Sequence, residues 1–463
     1  MNELNRKEKI VILGAGISGL ATAYWLDKKG FEITILESTG SPGGSMQTVT
    51  EEGFLIDYGP NSGLETTPLI RKIVDEIGLS KEMVYSSDIS NKRFVMRNNQ
   101  LHVLPTTAFS FIQTKLFSTK AKFRLMTEPF IGKSNDGYYQ SMSEFVKRRL
   151  GKEFLDYAID PFVSGVFAGD PDKLSVKSAF PKLYRLEEVY GGLIKGMIKG
   201  ARERKNRSEK SKQSAKMFSF INGMQSFPKA IALKMNDKIN YNCVVKSVEK
   251  NNNGYKIIFD KNNSLQELES KYVVSTLPAY NASNIFRELD QNIVKQMDNI
   301  YYPPVMVLFI GFRKESIGIP LNGFGYLIPS KEKKSYLGAI WSSTIFPNRC
   351  DDSKAAFTLY VGGSRMPNLF ELNKAELINK VVNEFKETMK IKDEPLFITD
   401  RMWLKAIPQY NVGYIEQENY FNKFEKEHPG IFLSGNYRGG ISVGDCIKNS
   451  EITVSRLMET LII

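Results

Sequence analysis

The sequence predicts an α/β protein, an α+β composite, in which a Rossmann-like domain built from both chain ends accompanies a mixed-sheet unit and a helical unit. Two glycine-rich bends, "GAGISG" from Gly14 and "GNYRGG" from Gly435, carry this expectation. Each follows a strand-like apolar run, "KIVIL" or "GIFLS", and each leads into a helical pattern. The third observation is what lies between them: helical pieces through 106–200, then alternating strands from "NCVVKSVEK" onward.

At the N-terminal bend, Gly14 permits a tight turn, Gly16 lets backbone approach a pyrophosphate, and Gly19 lets the helix, entered through Ser18, pack closely on the sheet. The phosphates then sit at the positive helix end. Gly30 reads as the helix stop. Glu37 closes the next strand 23 residues after Gly14, where a carboxylate accepts hydrogen bonds from an adenosine ribose. In "SPGGSMQT", Gly43 and Gly44 would let a second loop lie against the pyrophosphate. A helix is expected in "TTPLIRKIVDEIGL", and "NCVVKSVEK" and "GYKIIFD" flank a turn at 251–253 before the strand "SKYVVSTLP". "YYPPVMVLFIGF", with Pro303 and Pro304, reads as a buried strand and is too short to span a membrane. At the far end, N–H groups around Val443, Gly444 and Asp445 would open a helix toward the negative charge of a reduced flavin; the plainer reading is a helix capped by Asp445.

A chain of 463 residues is expected to divide into roughly two to four units. Three cysteines without CxxC spacing and two histidines argue against a disulfide framework and a metal site. The start "MNELNRKEKIVILGAG" lacks an export signal, so a cytoplasmic protein is expected. The net charge of +12 concentrates in part in "KGARERKNRSEKSKQSAK" at 199–216, read as a loop or a contact for phosphate groups. Without interleaved aromatics it does not point to nucleic acid. Phosphate-loop, nucleophile-elbow and H-E-x-x-H motifs do not occur.

"GAGISGLATAYWL", "SPGGSMQT" and "FLIDYGPNS" resemble the flavin amine oxidase superfamily. "VSGVFAGDP", "GFGYLIPS", "YVGGSR", "WLKAIPQYNVGY" and "GNYRGGISVGDCI" resemble its oxygen-dependent porphyrinogen oxidases, in the family's order over nearly the whole chain. The resemblance implies an FAD-binding domain at 1–91, 218–281 and 401–463, a substrate domain at 92–105 and 282–400, and a helical membrane-binding domain at 106–217. It implies non-covalent FAD and six-electron oxidation of a porphyrinogen, with O2 as acceptor and hydrogen peroxide released, in haem biosynthesis. Protoporphyrinogen IX is the expected substrate, coproporphyrinogen III the alternative, and amine oxidation the remoter one. Peripheral contact with the cytoplasmic face of a membrane and a homodimer also enter as expectations.

By the same resemblance Glu37 holds the ribose, Val245 lies near the adenine, and Gly59, Pro60, Trp403 and residues 443–445 lie by the flavin. Leu327, Ile340 and Tyr360 grip the macrocycle, Arg93 meets a propionate, and Asn61, Gly165 and Gly169 line the intervening space, where a side chain on either glycine would intrude on the macrocycle. No general base is assigned. Ser45 and Tyr414 depart from the family pattern, which often has a basic residue and a histidine there.

Overall fold

Five parallel strands form the sheet that the first glycine motif opens. Their order is Ile239–Asn240, Glu32–Leu36, Lys9–Leu13, Tyr272–Ser275 and Ile431–Leu433. Ile10, Val11, Ile12 and Leu13 are all buried, as a strand covered on both faces requires. The last strand of the chain therefore completes a layer that the first begins. The helix Ile17–Asp27 packs against the C-terminal helix Val443–Thr460, and Ser450 Oγ donates to the Ser18 carbonyl at 2.9 Å. This computed structural model describes residues 8–204 and 215–461, so most of the basic run at 199–216 lies outside the described residues.

The hairpin expected around 251–253 joins Cys243–Asn251 to Gly254–Lys261, and Ser264–Ser270 completes a three-stranded antiparallel sheet. The "TTPLIRKIVDEIGL" helix spans Pro68–Glu76, capped by the Thr67 side chain. The proline-led apolar run forms the strand Val305–Arg313, buried except at its last residue.

That strand belongs to a second sheet of seven, ordered Phe397–Trp403, Val305–Arg313, Lys354–Gly362, Gly338–Ile340, Gly325–Leu327, Phe94–Arg97 and Gln100–Val103. Only Gly325–Leu327 with Phe94–Arg97 is a parallel pair, so the sheet is mixed. Residues directly opposite one another share a face. The row Leu308, Leu359, Ala339, Tyr326 therefore points one way, where it is buried with Leu377, Val381 and Phe385 of the helix Lys374–Met389. The alternate row Val307, Tyr360, Gly338, Leu327 points the other way, and this front face is turned toward the candidate site.

Helices fill most of 108–204. Their hub is Arg149, fully buried, which donates to Glu128 at 2.8 Å, to Glu187, and to the carbonyls of Ile131, Gly132 and Gly191. Glu128 in turn accepts the N–H groups of Leu193 and Ile194 at the start of the helix Leu193–Arg204. Among the described residues no helix is long and apolar enough to cross a membrane. Arg149→Met should cost the helical unit about 3–5 kcal/mol, because it leaves two carboxylates buried with one guanidinium fewer. Denaturant unfolding followed by a probe within 108–200 measures this.

Candidate flavin and substrate site

The three glycines of the first bend serve different ends. Gly14 has φ +96° and donates its N–H to the Leu36 carbonyl at 2.8 Å, a conformation that favours glycine. A Cβ on Gly19 would collide with the Gly14 carbonyl oxygen, so helix and turn meet backbone to backbone. Gly16 differs from both. It precedes the helix Ile17–Asp27, supplies no side-chain cap, and a Cβ placed on it meets nothing within 4 Å. The first-turn N–H groups thus border open space, which suits an anion.

Gly43 donates to the Ala15 carbonyl at 2.9 Å and pairs with Gly16 in an isolated parallel bridge, and a Cβ on Gly44 would lie 3.5 Å from Gly16 Cα. The second loop therefore rests on the first loop itself. Glu37 is buried and clasps the same turn, accepting from Ala15 N at 2.7 Å and from Thr39 N and Oγ1 at 2.9 and 2.8 Å. Its carbonyl accepts from Cys243 N at 2.8 Å, which brings half-buried Val245 alongside, at an irregularity of its strand.

The segment Tyr58–Thr67 touches the second glycine loop, two strands of the seven-stranded sheet and the C-terminal helix. Tyr58 N donates to the Gln47 carbonyl at 2.9 Å, and Gly59, before Pro60, lies so close to the Ser45 carbonyl that a Cβ has no room. Trp403 Nε1 donates to the Tyr58 carbonyl at 2.8 Å. Asn61 accepts from the Tyr360 hydroxyl. A Cβ on Gly444 would stand 2.7 Å from Thr66 Oγ1 and 3.3 Å from the Leu64 carbonyl. Ser18 is buried on the far side, holding the C-terminal helix through Ser450.

At that helix the reading of Asp445 as cap is corrected. Ser442 is the cap: its Oγ accepts from Asp445 N at 3.2 Å, while the Asp445 carboxylate accepts from Ser442, a reciprocal capping box. The Asp445 N–H is therefore engaged within the box. Val443 and Gly444 supply first-turn N–H groups, which have no intrahelical acceptor.

On the front face, Leu327, Tyr360, Ile340 and Trp403 share one side of the seven-stranded sheet. Burial pushes the Tyr360 phenol well above its ordinary pKa, so it stays protonated as the donor to Asn61. The helix Asp160–Phe167 crosses this face. A Cβ on Gly165 would collide with Leu327 Cδ2, and one on Gly169 would stand 2.7 Å from Gln409 Oε1. An added side chain at either position would therefore also strike the protein's own Leu327 or Gln409.

Arg93 immediately precedes the strand Phe94–Arg97, in line with Gly325 and its partner Ile340. Its guanidinium lies 5.3 Å from the Phe324 ring and has no acidic partner among the described residues. The surrounding protein lowers its pKa by desolvation, although the side chain remains open to solvent. Three features escaped the sequence reading. Gln409, inside the quoted "IPQY", is buried, donates to the Phe167 and Ile407 carbonyls and leaves Oε1 without a partner. Asp160 and Arg365 pair across the helix–sheet junction. Phe324, in "GFGYLIPS", carries Arg93.

Residues 17–458 match the model of the flavin containing amine oxidoreductase family. The chain belongs to that family. It is 33% identical over 480 residues to protoporphyrinogen oxidase 2, chloroplastic/mitochondrial, of Arabidopsis thaliana, covering 97% of this chain and 94% of the relative. It is 27% identical to coproporphyrinogen III oxidase of Bacillus subtilis (strain 168), covering 97% of each. A solved structure from Exiguobacterium sp. 255-15 superposes with a TM-score of 0.79 at 20% identity, over 98% of this chain and 99% of that one. A putrescine oxidase variant superposes at 0.71 and 16% identity, over 98% and 100%. These two likenesses establish the fold.

As a member of this family the protein is an FAD-dependent oxidoreductase. The chain's own geometry fits the cofactor: the space beside Gly16 is open, the adjoining helix has no side-chain cap, and the C-terminal helix adds a second first turn. Gly16→Val should therefore leave the melting temperature of the flavin-free protein near that of wild type while abolishing the flavin absorption band after purification. Gly19→Val should fail to fold, since its side chain would overlap the Gly14 carbonyl.

Proposed function

We propose that this protein is an oxygen-dependent porphyrinogen oxidase that converts protoporphyrinogen IX to protoporphyrin IX in haem biosynthesis and releases hydrogen peroxide. The observation that carries the reading is the front face of the seven-stranded sheet, where Leu327, Ile340 and Tyr360 adjoin a guanidinium, Arg93, that no acid among the described residues neutralises. An apolar wall beside a guanidinium without an acidic partner suits a macrocycle with carboxylate arms. The relatives' names supply the substrate class.

Non-covalent FAD supplies hydride acceptance from a methylene carbon and electron transfer to oxygen. The residues of the chain bind and orient. Gly14, Gly16, Ser18, Gly19, Gly43 and Gly44 form the pyrophosphate cradle, with Glu37 at the ribose and Val245 at the adenine. Gly59, Pro60, Trp403, Val443, Gly444 and Asp445 border the ring. Asn61, Gly165 and Gly169 shape the space between ring and sheet, and the Tyr360 hydroxyl fixes the Asn61 amide. No residue is assigned as general base. The domain division into 1–91, 218–281 and 401–463 for cofactor, 92–105 and 282–400 for substrate, and 106–217 for the helical unit belongs to the same proposal.

Coproporphyrinogen III is the second reading, favoured by the relative from Bacillus subtilis. Purified enzyme assayed with both porphyrinogens in air separates them: a higher kcat/KM for protoporphyrinogen IX is expected, and a markedly higher value for coproporphyrinogen III reverses the assignment. Arg93→Ala should raise KM about tenfold with a smaller fall in kcat, as loss of uniform binding does. Unchanged steady-state kinetics remove Arg93 from the site.

The helical unit is proposed to rest on an anionic bilayer surface. Phe109, Ile112, Phe123, Met126 and Phe130 are all exposed, Phe130 by 90%, among Lys115, Lys120, Lys122 and Arg124. Co-sedimentation with vesicles containing phosphatidylserine should exceed that with neutral vesicles and should fall in a Phe109→Ser, Phe130→Ser double variant. Equal recovery of wild type and variant would remove the membrane contact.

A further inference from the structure

The bend 435–442, just before the C-terminal helix, turns through three glycines at positive φ, Gly435, Gly439 and Gly440, and such a stretch holds one shape only if other groups fix it. Here side chains fix it at each step. Tyr410 donates to the Asn436 carbonyl at 2.7 Å and accepts from Gly440 N at 2.9 Å; Tyr414 donates to the Tyr437 carbonyl; Asn449 donates to the Arg438 carbonyl at 2.8 Å.

The strongest of these anchors is the Arg438 side chain itself. It is buried, and its donors reach Glu418 from Nε at 3.2 Å and from Nη2 at 2.9 Å, Glu425 and the Leu433 carbonyl from Nη1 at 2.9 and 3.0 Å, and Asn422 from Nη2 at 2.7 Å. Glu418, Asn422 and Glu425 lie on one face of the helix Tyr414–Glu427 by their spacing of four and three. Arg456 adds a second cation on Glu425, so two acids meet two bases. Burial alone would lower the Arg438 pKa, but the two glutamates outweigh it and raise it, so the group stays charged.

We propose that Arg438 is a positioning residue for the flavin: it docks the bend onto the helix Tyr414–Glu427 and so fixes the orientation of the Val443–Gly444 first turn before the cofactor binds. This rests on the reading that places the flavin ring at that turn. A helix start aimed at the ring stabilises the anionic reduced form, so a bend that loses its anchor weakens binding and lowers the midpoint potential.

The test uses the full chain stripped of flavin, with FAD titrated by fluorescence quenching and amide exchange followed with and without FAD. In wild type, FAD should slow exchange across 436–444. In Arg438→Met, those amides should exchange faster without FAD, the FAD dissociation constant should rise about tenfold, and the midpoint potential of the bound flavin should fall. KM for protoporphyrinogen IX at saturating FAD should stay the same. Glu418→Gln, at a half-buried partner, should shift affinity and potential the same way by less, and it stands in if Arg438→Met does not fold. Wild-type affinity and potential in whichever variants fold overturn the inference, even if the melting temperature falls. Failure of FAD to protect 436–444 in the wild type overturns the placement of the flavin ring as well.

Discussion

Everything at the site depends on how closely backbone can approach backbone around Tyr58–Thr67. This short segment touches the second glycine loop through Gly59, the edge strand of the seven-stranded sheet through the Tyr58 carbonyl, the front of that sheet through Asn61, and the C-terminal helix through Leu64 and Thr66. At Gly59 and Gly444 an added Cβ would meet neighbouring polar atoms inside contact distance. Glycine is therefore demanded by one piece of the protein pressing on another. The cofactor cradle and the proposed substrate wall are held to each other through this segment, so their relative placement is a property of protein packing and exists before any ligand arrives.

The two sheets divide the work by what covers them. The parallel sheet is buried on both faces, and its carboxyl-terminal edge, where Gly14 and Glu37 follow their strands, is left for the ligand. The seven-stranded sheet is sealed behind by the helix Lys374–Met389, while its front is packed around Val307 and Phe309 by Phe54, Ile56 and Tyr58 and stays only partly buried at Leu327, Ile340 and Tyr360. Helix Asp160–Phe167 lies over that front with Gly165 against Leu327. Bulk at Gly165 would therefore displace Leu327 of the proposed substrate wall or lift the helix.

Local signals in the sequence were strong wherever structure depends on neighbours in the chain. The strand, glycine bend and helix at 9–27, the hairpin around Asn252, and the C-terminal helix from Val443 all have the form that periodicity and glycine spacing imply. What depended on distant partners was not legible. The plainer reading of the helix start made Asp445 its cap, yet Asp445 is the third helical residue of a capping box whose cap is Ser442. Nothing in "VSGVFAGDP" indicates that Leu327, more than 150 residues away, fills the space beside Gly165. The Arg438 network had a faint trace, the i, i+4, i+7 spacing of Glu418, Asn422 and Glu425, but no sign of which cation that face receives.

Net charge and site charge are separate matters in this protein. The excess of +12 is a property of the whole chain, much of it on exposed lysines. Around the sheet, by contrast, the guanidinium groups are largely compensated: Arg97 pairs with Glu153, Arg365 with Asp160, and Arg349 faces Asp57 in the interior. A compensated guanidinium has already spent its donors on a fixed carboxylate and offers little to an incoming one. Arg93, over the face of Phe324, and Arg401, over the face of Trp403, have no acidic partner among the described residues, an arrangement that orients a cation without occupying its donors. The carboxylate contact proposed for the site therefore rests on which arginines the fold leaves without an acid, whereas a surface excess of charge acts at longer range.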